Sequence, residues 1–333
     1  MKKLPVTKQS ANQNRKFSVG IDLGGTKLAA ALVRGDGTII DFVKVPVNMS
    51  QEGNALQTQK RIIQLMTDIC IDFKNRYPKE CQSQNLAGVG LASAGPLDVE
   101  KGTLINPSNF PNWKVVPIQA LLSKSLQKSG LAWCVDFQND AIAAAIAEGW
   151  IGGASHMKTY AVVTVGTGIG SGLILNGRPC QSRGAGSEFG HSIVDFRKLI
   201  ENRNDWDPST VEGIASGTAL VRRARAMGFK GSSVEELVHA GSKRFDFLFE
   251  EMAWVLASLC FNLSIGFHPE GIFISGGLIK IKNLFLANTQ ERYSHLIRAF
   301  NPAFECKIKI AKTKNQAGVL GAARLPLIRL NQS

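Results

Sequence analysis

Apolar and polar positions alternate along this chain with two different periods. From Phe17 the stretch FSVGIDLGGTKLAAALVRGDGTIIDFVKVPV sets β-prone runs between glycine-bearing turns: a strand ending near Asp22, a Gly24-Gly25 turn, a second strand, a hairpin signal at Asp36-Gly37 and a third strand. Three antiparallel strands are expected. Over 55 to 75 the period changes, because Ile62, Met66, Ile69, Cys70 and Phe73 recur at helical spacing and predict an amphipathic helix. LAGVGLAS then reads as a short buried strand, 117 to 128 as a helix, LAWCVDF as a strand and DAIAAAIAEGW as a helix opening at Asn139 or Asp140.

The pattern restarts after that helix. YAVVTVGTGIGSGLILNGRPC again gives a strand, a glycine turn, a strand and a tight Asn176-Gly177 turn. In the first copy Gly25 precedes the glycine of the hairpin turn by 12 positions (25 to 37), and in the second Gly166 precedes it by 11 (166 to 177). This internal repeat predicts a duplicated α/β domain with a ligand between the copies. A duplicated β-meander with hairpin turns fits the same residues as a purely structural alternative.

Composition narrows the class. The chain has 333 residues, 44% hydrophobic and 20% charged, as in a folded globular protein of about two domains at ~150 residues each. Its 39 basic and 26 acidic side chains leave a net charge of +13, which attracts nucleic acid, anionic membranes or phosphorylated small molecules. The basic residues are scattered, with only a loose cluster of Lys2, Lys3, Lys8, Arg15 and Lys16, so no nucleic-acid partner is expected.

Cysteines at 70, 81, 134, 180, 260 and 306 form no CxxC pair or disulfide-framework spacing. The basic N-terminus MKKLPVTKQSANQNRK leads into no apolar signal-peptide core. The apolar stretch MAWVLASLCFNLSIGF at 252 to 267 carries Asn262 and falls short of the ~20 residues a membrane span requires. A cytoplasmic location away from membranes is therefore expected.

Several short stretches carry chemistry. DLGGTK at 22 to 27 puts an acid at a strand end, two glycines that admit a ligand close to the backbone, and the Thr26 hydroxyl. Such a turn suits phosphate oxygens, with Asp22 holding a magnesium ion directly or through water; the GxxxxGK spacing of a Walker loop is absent. GTGIGSG at 166 to 172 offers a second phosphate cradle, and ISGGL at 274 to 278 either opens a nucleotide contact at Gly276-Gly277 or is a plain strand-to-helix turn. Asp140 either caps its helix or points into a cleft, beside a loop, INPSNFPNW, that supplies amides and an indole. Glu188, His191 and Glu212 leave open a metal site, an acid/base pair or a sugar-binding wall.

IDLGGTK, GVGLASAGPLD, NPSNFPNW, NDAIAAA, TVGTGIGSGLILNG, GAGSEFGH, EGIASGTAL and NQAGVLGAA occur in an order that resembles the ROK family of bacterial sugar kinases and related repressors, from about 17 to 325. The resemblance implies a two-domain α/β fold of the actin-like ATPase (ribonuclease H-like) type with an intervening cleft that closes over ATP and a hexose. The expected domains are a polar tail at 1–16, a small domain of 17–139 plus a returning 314–333, and a large domain of 140–313. By position, Asp140 resembles the catalytic base, and Asn109, Asn139, Glu188, His191 and Glu212 resemble the sugar contacts. Asp22, Gly24, Gly25, Thr26 and Lys27, with Gly166, Thr167 and Gly168, would hold magnesium and phosphates, and Gly276 and Gly277 would lie by the adenosine.

The family's frequent CxCGxxGCxE segment, which with the histidine makes a tetrahedral zinc site, is replaced here by FRKLIENRNDWDPSTVE. No zinc is expected, and His191 is read as a sugar contact. A short helix around FRKLIENR, with Trp206 packed beneath it, is expected in place of the metal. The resemblance implies an ATP-dependent glucokinase, with an N-acetylmannosamine or N-acetylglucosamine kinase as the alternative and a non-catalytic sugar sensor as the third reading. A homodimer or tetramer is expected from the same likeness. With about 16 residues ahead of Phe17, the DNA-binding helices of the repressors are not expected.

Overall fold

The computed structural model describes residues 16–47, 54–107, 109–110, 112–201 and 204–330. Of the basic N-terminal cluster only Lys16 falls within them, and the rest of the expected polar tail lies outside the described residues. The chain divides into two compact units, 1–158 with 176–186 and 316–333, and 159–175 with 187–315.

The first unit is built on β1 (Phe17–Leu23), β2 (Lys27–Arg34), β3 (Ile39–Pro46), α1 (Ala55–Arg76), β4 (Leu86–Ser93), β5 (Leu97–Asp98), β6 (Thr103–Ile105), β7 (Val115–Val116), α2 (Ile118–Lys128), β8 (Val135–Asn139) and α3 (Asp140–Ile151). Its main sheet runs β3-β2-β1-β4-β8, antiparallel through the first three strands and parallel from β1 to β8. Asp36-Gly37 makes the predicted hairpin, with Gly37 at φ 90°. The expected helix over 55 to 75 is α1; Asn54 and Gln57 form a reciprocal capping box at its start. Its Ile62, Met66 and Phe73 join the core, each worth ~1.5–3 kcal/mol of burial. The strand expected at LAWCVDF begins only at Val135, and the small β5-β6-β7 sheet carried no clear period.

The second unit contains β9 (Tyr160–Val165), β10 (Ile169–Leu175), α4 (Phe196–Glu201), α5 (Val211–Ala215), α6 (Gly217–Ala226), α7 (Val234–His239), α8 (Asp246–Phe267), β12 (Gly271–Ser275), α9 (Leu286–Phe300) and β13 (Lys307–Ile310). The short β11 (Arg178–Pro179) follows the Asn176-Gly177 turn, whose φ values of 50° and 75° fit a tight hairpin. Strands β10, β9, β12 and β13 lie in that order, antiparallel then parallel, repeating the β2-β1-β4-β8 arrangement of the first sheet. The repeat read from the glycine spacing is thus a repeat of topology.

The chain returns to the first unit as α10 (Ala317–Leu330). Gly20 on β1 and Gly90 on β4 leave no room for a Cβ against the backbone of Val319 and Ala322, and Gly321 leaves none against Ala143 of α3. Helix α10 therefore seats directly on the sheet and on α3. This contact explains why the units divide at Lys158 and not, as expected, at Asn139: α3 is buried along almost its whole length, from Ala141 to Trp150, and belongs with α10.

Helix α8 is longer than the apolar run suggested. By length and composition the helical stretch Lys243–Phe267 could cross a membrane, but Leu248, Met252, Leu256, Leu259 and Leu263 pack into the protein interior.

Candidate active site

In the first unit the parallel strands bring their C-terminal ends level, since Leu23 pairs with Ser93 and Ser93 with Asn139. Asp22 closes β1 beside them and Asp140 opens α3 immediately after β8. The C-terminal end of a parallel sheet is where α/β folds bind ligands. Burial, the nearby carboxylate of Asp140 and, in opposition, the ammonium of Lys27 set the Asp22 carboxyl at about 7 in place of 3.8. Asp22 and Asp140 thus place two carboxylates at one end of the sheet, oxygen donors of the kind a divalent cation takes.

The sequence left open whether Asp140 caps its helix. The cap is Asn139, whose Oδ1 accepts from the Ala141 and Ile142 amides at 2.9 and 3.1 Å. Asp140 Oδ1 also accepts from the Ala141 amide, at 2.8 Å, so the helix start does not rest on Asp140 alone. The oxygen of Asn139 is engaged in the protein, and its amide NH2 is the part that remains for a hydroxyl group.

The Gly24–Lys27 turn is held by a hydrogen bond from the Gly24 amide to the Lys27 carbonyl at 3.0 Å, and Thr26 and Lys27 are exposed. A Cβ on Gly25 would stand 2.9 Å from the Asn109 carbonyl oxygen, so the phosphate-type turn and the expected sugar-binding loop touch. Asn109 is exposed. The indole of that loop does not face a ligand: Trp113 is buried and stacks on Phe110 at 5.0 Å, anchoring the loop from below.

In the second unit the Gly166–Gly168 turn closes with a 2.9 Å hydrogen bond from the Gly166 amide to the Gly168 carbonyl. The Gly217 and Thr218 amides, at the start of α6, donate to the Gly166 and Thr167 carbonyls at 2.8 and 3.2 Å. Gly276, at φ 96°, has no space for a Cβ against Val165, and Gly277 lies beside Gly166. The residues after Gly276 form a 3-10 turn, Gly277–Leu284. Three backbone segments rich in glycine therefore meet at the ends of β9 and β12.

Ile169 ties this turn to the expected sugar wall. Its amide donates to Glu212 Oε2 at 2.6 Å, and its carbonyl is pressed against Gly190, where a Cβ would collide. The turn carrying Glu188 and His191 is fixed further by Ser171, which accepts from the Phe189 amide at 3.1 Å and donates to the Ser187 carbonyl. Glu188 and His191 are exposed, and the imidazole meets the Trp206 ring edge to face at 5.7 Å. The expected helix is α4, and Trp206 is half-exposed.

The chain between His191 and Glu212 closes through its backbone. Val194 donates to Ser209 at 2.8 Å and Val211 to Ser192 at 3.0 Å. Among the described residues no group of three or more His, Cys, Asp or Glu side chains is placed to hold a metal ion.

Sequence reasoning missed three positions. Ser93 sits buried between Leu23 and Asn139; Gly318 abuts the Asp22 carboxylate so closely that a Cβ would overlap it; and Thr218 joins the Gly166 turn. All lie in the quoted stretches GVGLASAGPLD, NQAGVLGAA and EGIASGTAL, which was the signal for them.

A sheet of this topology occurring twice, each copy with a glycine turn between its first two long strands, defines an actin-like ATPase fold. The chain belongs to the ROK family, whose profile matches residues 18–327. It is 27% identical to a glucokinase of Thermotoga maritima over 92% of this chain and 96% of that one, and 29% identical to a fructokinase of Zymomonas mobilis over 96% and 99%. Its structure is similar to that of a ROK family glucokinase from Streptomyces griseus in complex with glucose and AMPPNP, with a TM-score of 0.72 and 25% identity over 93% of this chain and 98% of that chain.

Proposed function

We propose that the protein is an ATP-dependent sugar kinase that phosphorylates a hexose, glucose in the first place, at its 6-hydroxyl. The observation that carries the reading is the pair Asp22 and Asp140 at one sheet end, beside the Gly24–Lys27 turn and the Asn109 loop. Relatives named glucokinase and fructokinase support the sugar class, and the AMPPNP complex of a structural neighbour supports a nucleoside triphosphate as donor.

Asp140 accepts the proton of the sugar hydroxyl as that oxygen bonds to the γ-phosphorus and the bond to ADP breaks. Asn109, Asn139, Glu188, His191 and Glu212 grip the remaining hydroxyl groups through amide, carboxylate and imidazole atoms. The Gly24–Lys27 and Gly166–Gly168 turns bind phosphate oxygens, and Gly276-Gly277 flanks the adenosine. Magnesium, when bound through Asp22, offsets negative charge on the phosphates.

The test is ADP release with ATP and magnesium against glucose, mannose, fructose, glucosamine and the two N-acetylhexosamines, with a zinc chelator in a parallel arm. Turnover with glucose above all others supports the reading. Turnover with an N-acetylhexosamine alone overturns the substrate, and silence across the panel overturns the kinase.

A further inference from the structure

His191 and Glu212 are linked by a continuous set of contacts between protein groups. The His191 ring meets Trp206 at 5.7 Å. The Trp206 carbonyl accepts from the Ser209 amide at 3.0 Å, and the next carbonyl, that of Asp207, accepts from the amide and hydroxyl of Thr210 at 2.9 and 2.8 Å. Thr210 in turn caps α5, accepting from the Gly213 amide at 2.9 Å. Arg222 then closes the set from α6: one guanidinium nitrogen lies 3.1 Å from the Asp207 carboxylate and another donates to the Gly213 carbonyl at 2.8 Å. Gly213 follows Glu212 directly, and Glu212 reaches Ile169.

We infer that Trp206 and Arg222 are positioning residues that hold His191 and Glu212 for sugar recognition, one by ring packing and the other by a forked guanidinium grip. This rests on the sugar-kinase reading above. The geometry favours Arg at 222, because a planar fork reaches an acid and a carbonyl together whereas an ammonium is a single point charge. Both ends of the Arg222–Asp207 pair are substantially exposed, at 48% and 39%. Such a pair contributes little to global stability, so its effect falls on local order around Glu212.

The test uses the full chain, with steady-state kinetics and amide exchange read by NMR or mass spectrometry. Arg222→Met is expected to raise the sugar KM about ten-fold with kcat and the ATP KM within about two-fold, and to speed exchange of the Ile169 amide about ten-fold. Trp206→Ala is expected to raise the sugar KM similarly, and Trp206→Phe, which keeps an aromatic edge, to restore it. Unchanged sugar KM and Ile169 exchange in Arg222→Met, or an equal rise in the ATP KM, overturns the proposal. If the wild type turns over no sugar, the kinase reading fails. In that case faster Ile169 exchange in Arg222→Met still supports the brace, and unchanged exchange overturns it.

Discussion

The carboxylate of Asp140 acts on that of Asp22: the two stand at the same end of one sheet, and the charge on the first helps to hold the second protonated up to about pH 7. Neither residue sits there by accident of a loop. Asp22 is fixed by the β1–β4 register, and Asp140 by the helix that Asn139 caps.

Burial first, and the Asp140 charge second, raise the Asp22 carboxyl and set a pH dependence. Asp22 titrates near 3.8 in the unfolded chain and near 7 in the folded one, so the folded state binds the proton more tightly. Stability from this group is greatest below about pH 4, falls between 4 and 7, and is at its lowest above 7. In chelator, Asp22→Asn is expected to be more stable than wild type at pH 8 by on the order of 2 kcal/mol, to show a flatter pH profile of denaturation midpoints, and to lose sugar phosphorylation. A variant that is no more stable than wild type at pH 8 would count against a raised Asp22.

The contact of Gly25 with Asn109 predicts a graded glycine series. Gly25→Ala puts a Cβ 2.9 Å from the Asn109 carbonyl oxygen, and turn or loop has to move. Both the ATP and sugar KM values are expected to rise by roughly ten-fold or more. Gly24→Ala meets only the Lys27 carbonyl at 3.2 Å and is expected to be milder. Equal effects on kinetics would show that the turn and the loop are not coupled.

Glu212 separates structure from recognition. Glu212→Ala leaves the Ile169 amide, in a residue 3% exposed, without its acceptor, a loss of about 1–3 kcal/mol. Glu212→Gln keeps an acceptor oxygen. Thermal melts are therefore expected to fall for the alanine variant and to hold for glutamine, while both raise the sugar KM. A glutamine variant with wild-type sugar kinetics would remove the carboxylate from recognition.

Gly318 abuts the Asp22 carboxylate. Gly318→Ala is expected to cut turnover by roughly ten-fold or more while the fold, followed by circular dichroism, is retained; an active Gly318→Ala would show that the Asp22 side chain has room to move.

Much of this architecture could be read from sequence because its signals are local. Period-2 runs and glycine turns marked β1, β2, β9 and β10, and the 3.6-residue spacing of Ile62, Met66, Ile69 and Phe73 marked α1. What could not be read depends on contacts between distant residues. The uniform apolar face of α3 announces burial but not that α10, arriving more than 160 residues later, covers it; the boundary expected at Asn139 and the division of the compact units at Lys158 differ for that reason. The indole of the INPSNFPNW loop carries in sequence no mark of the Phe110 ring on which Trp113 stacks. Arg222 had no local pattern at all, since its two partners, Asp207 and Gly213, acquire meaning only when the chain between His191 and Glu212 closes.

The most direct test of the central claim is Asp140→Asn, followed in parallel by phosphorus NMR of glucose with ATP and magnesium and by calorimetry of glucose binding. The wild type is expected to make glucose 6-phosphate, and the variant to do so at a rate lower by roughly a thousand-fold or more, with glucose affinity within a few-fold of wild type. A variant that still makes glucose 6-phosphate at the wild-type rate would contradict the role of Asp140, and a wild type that makes none would contradict the assignment of glucose.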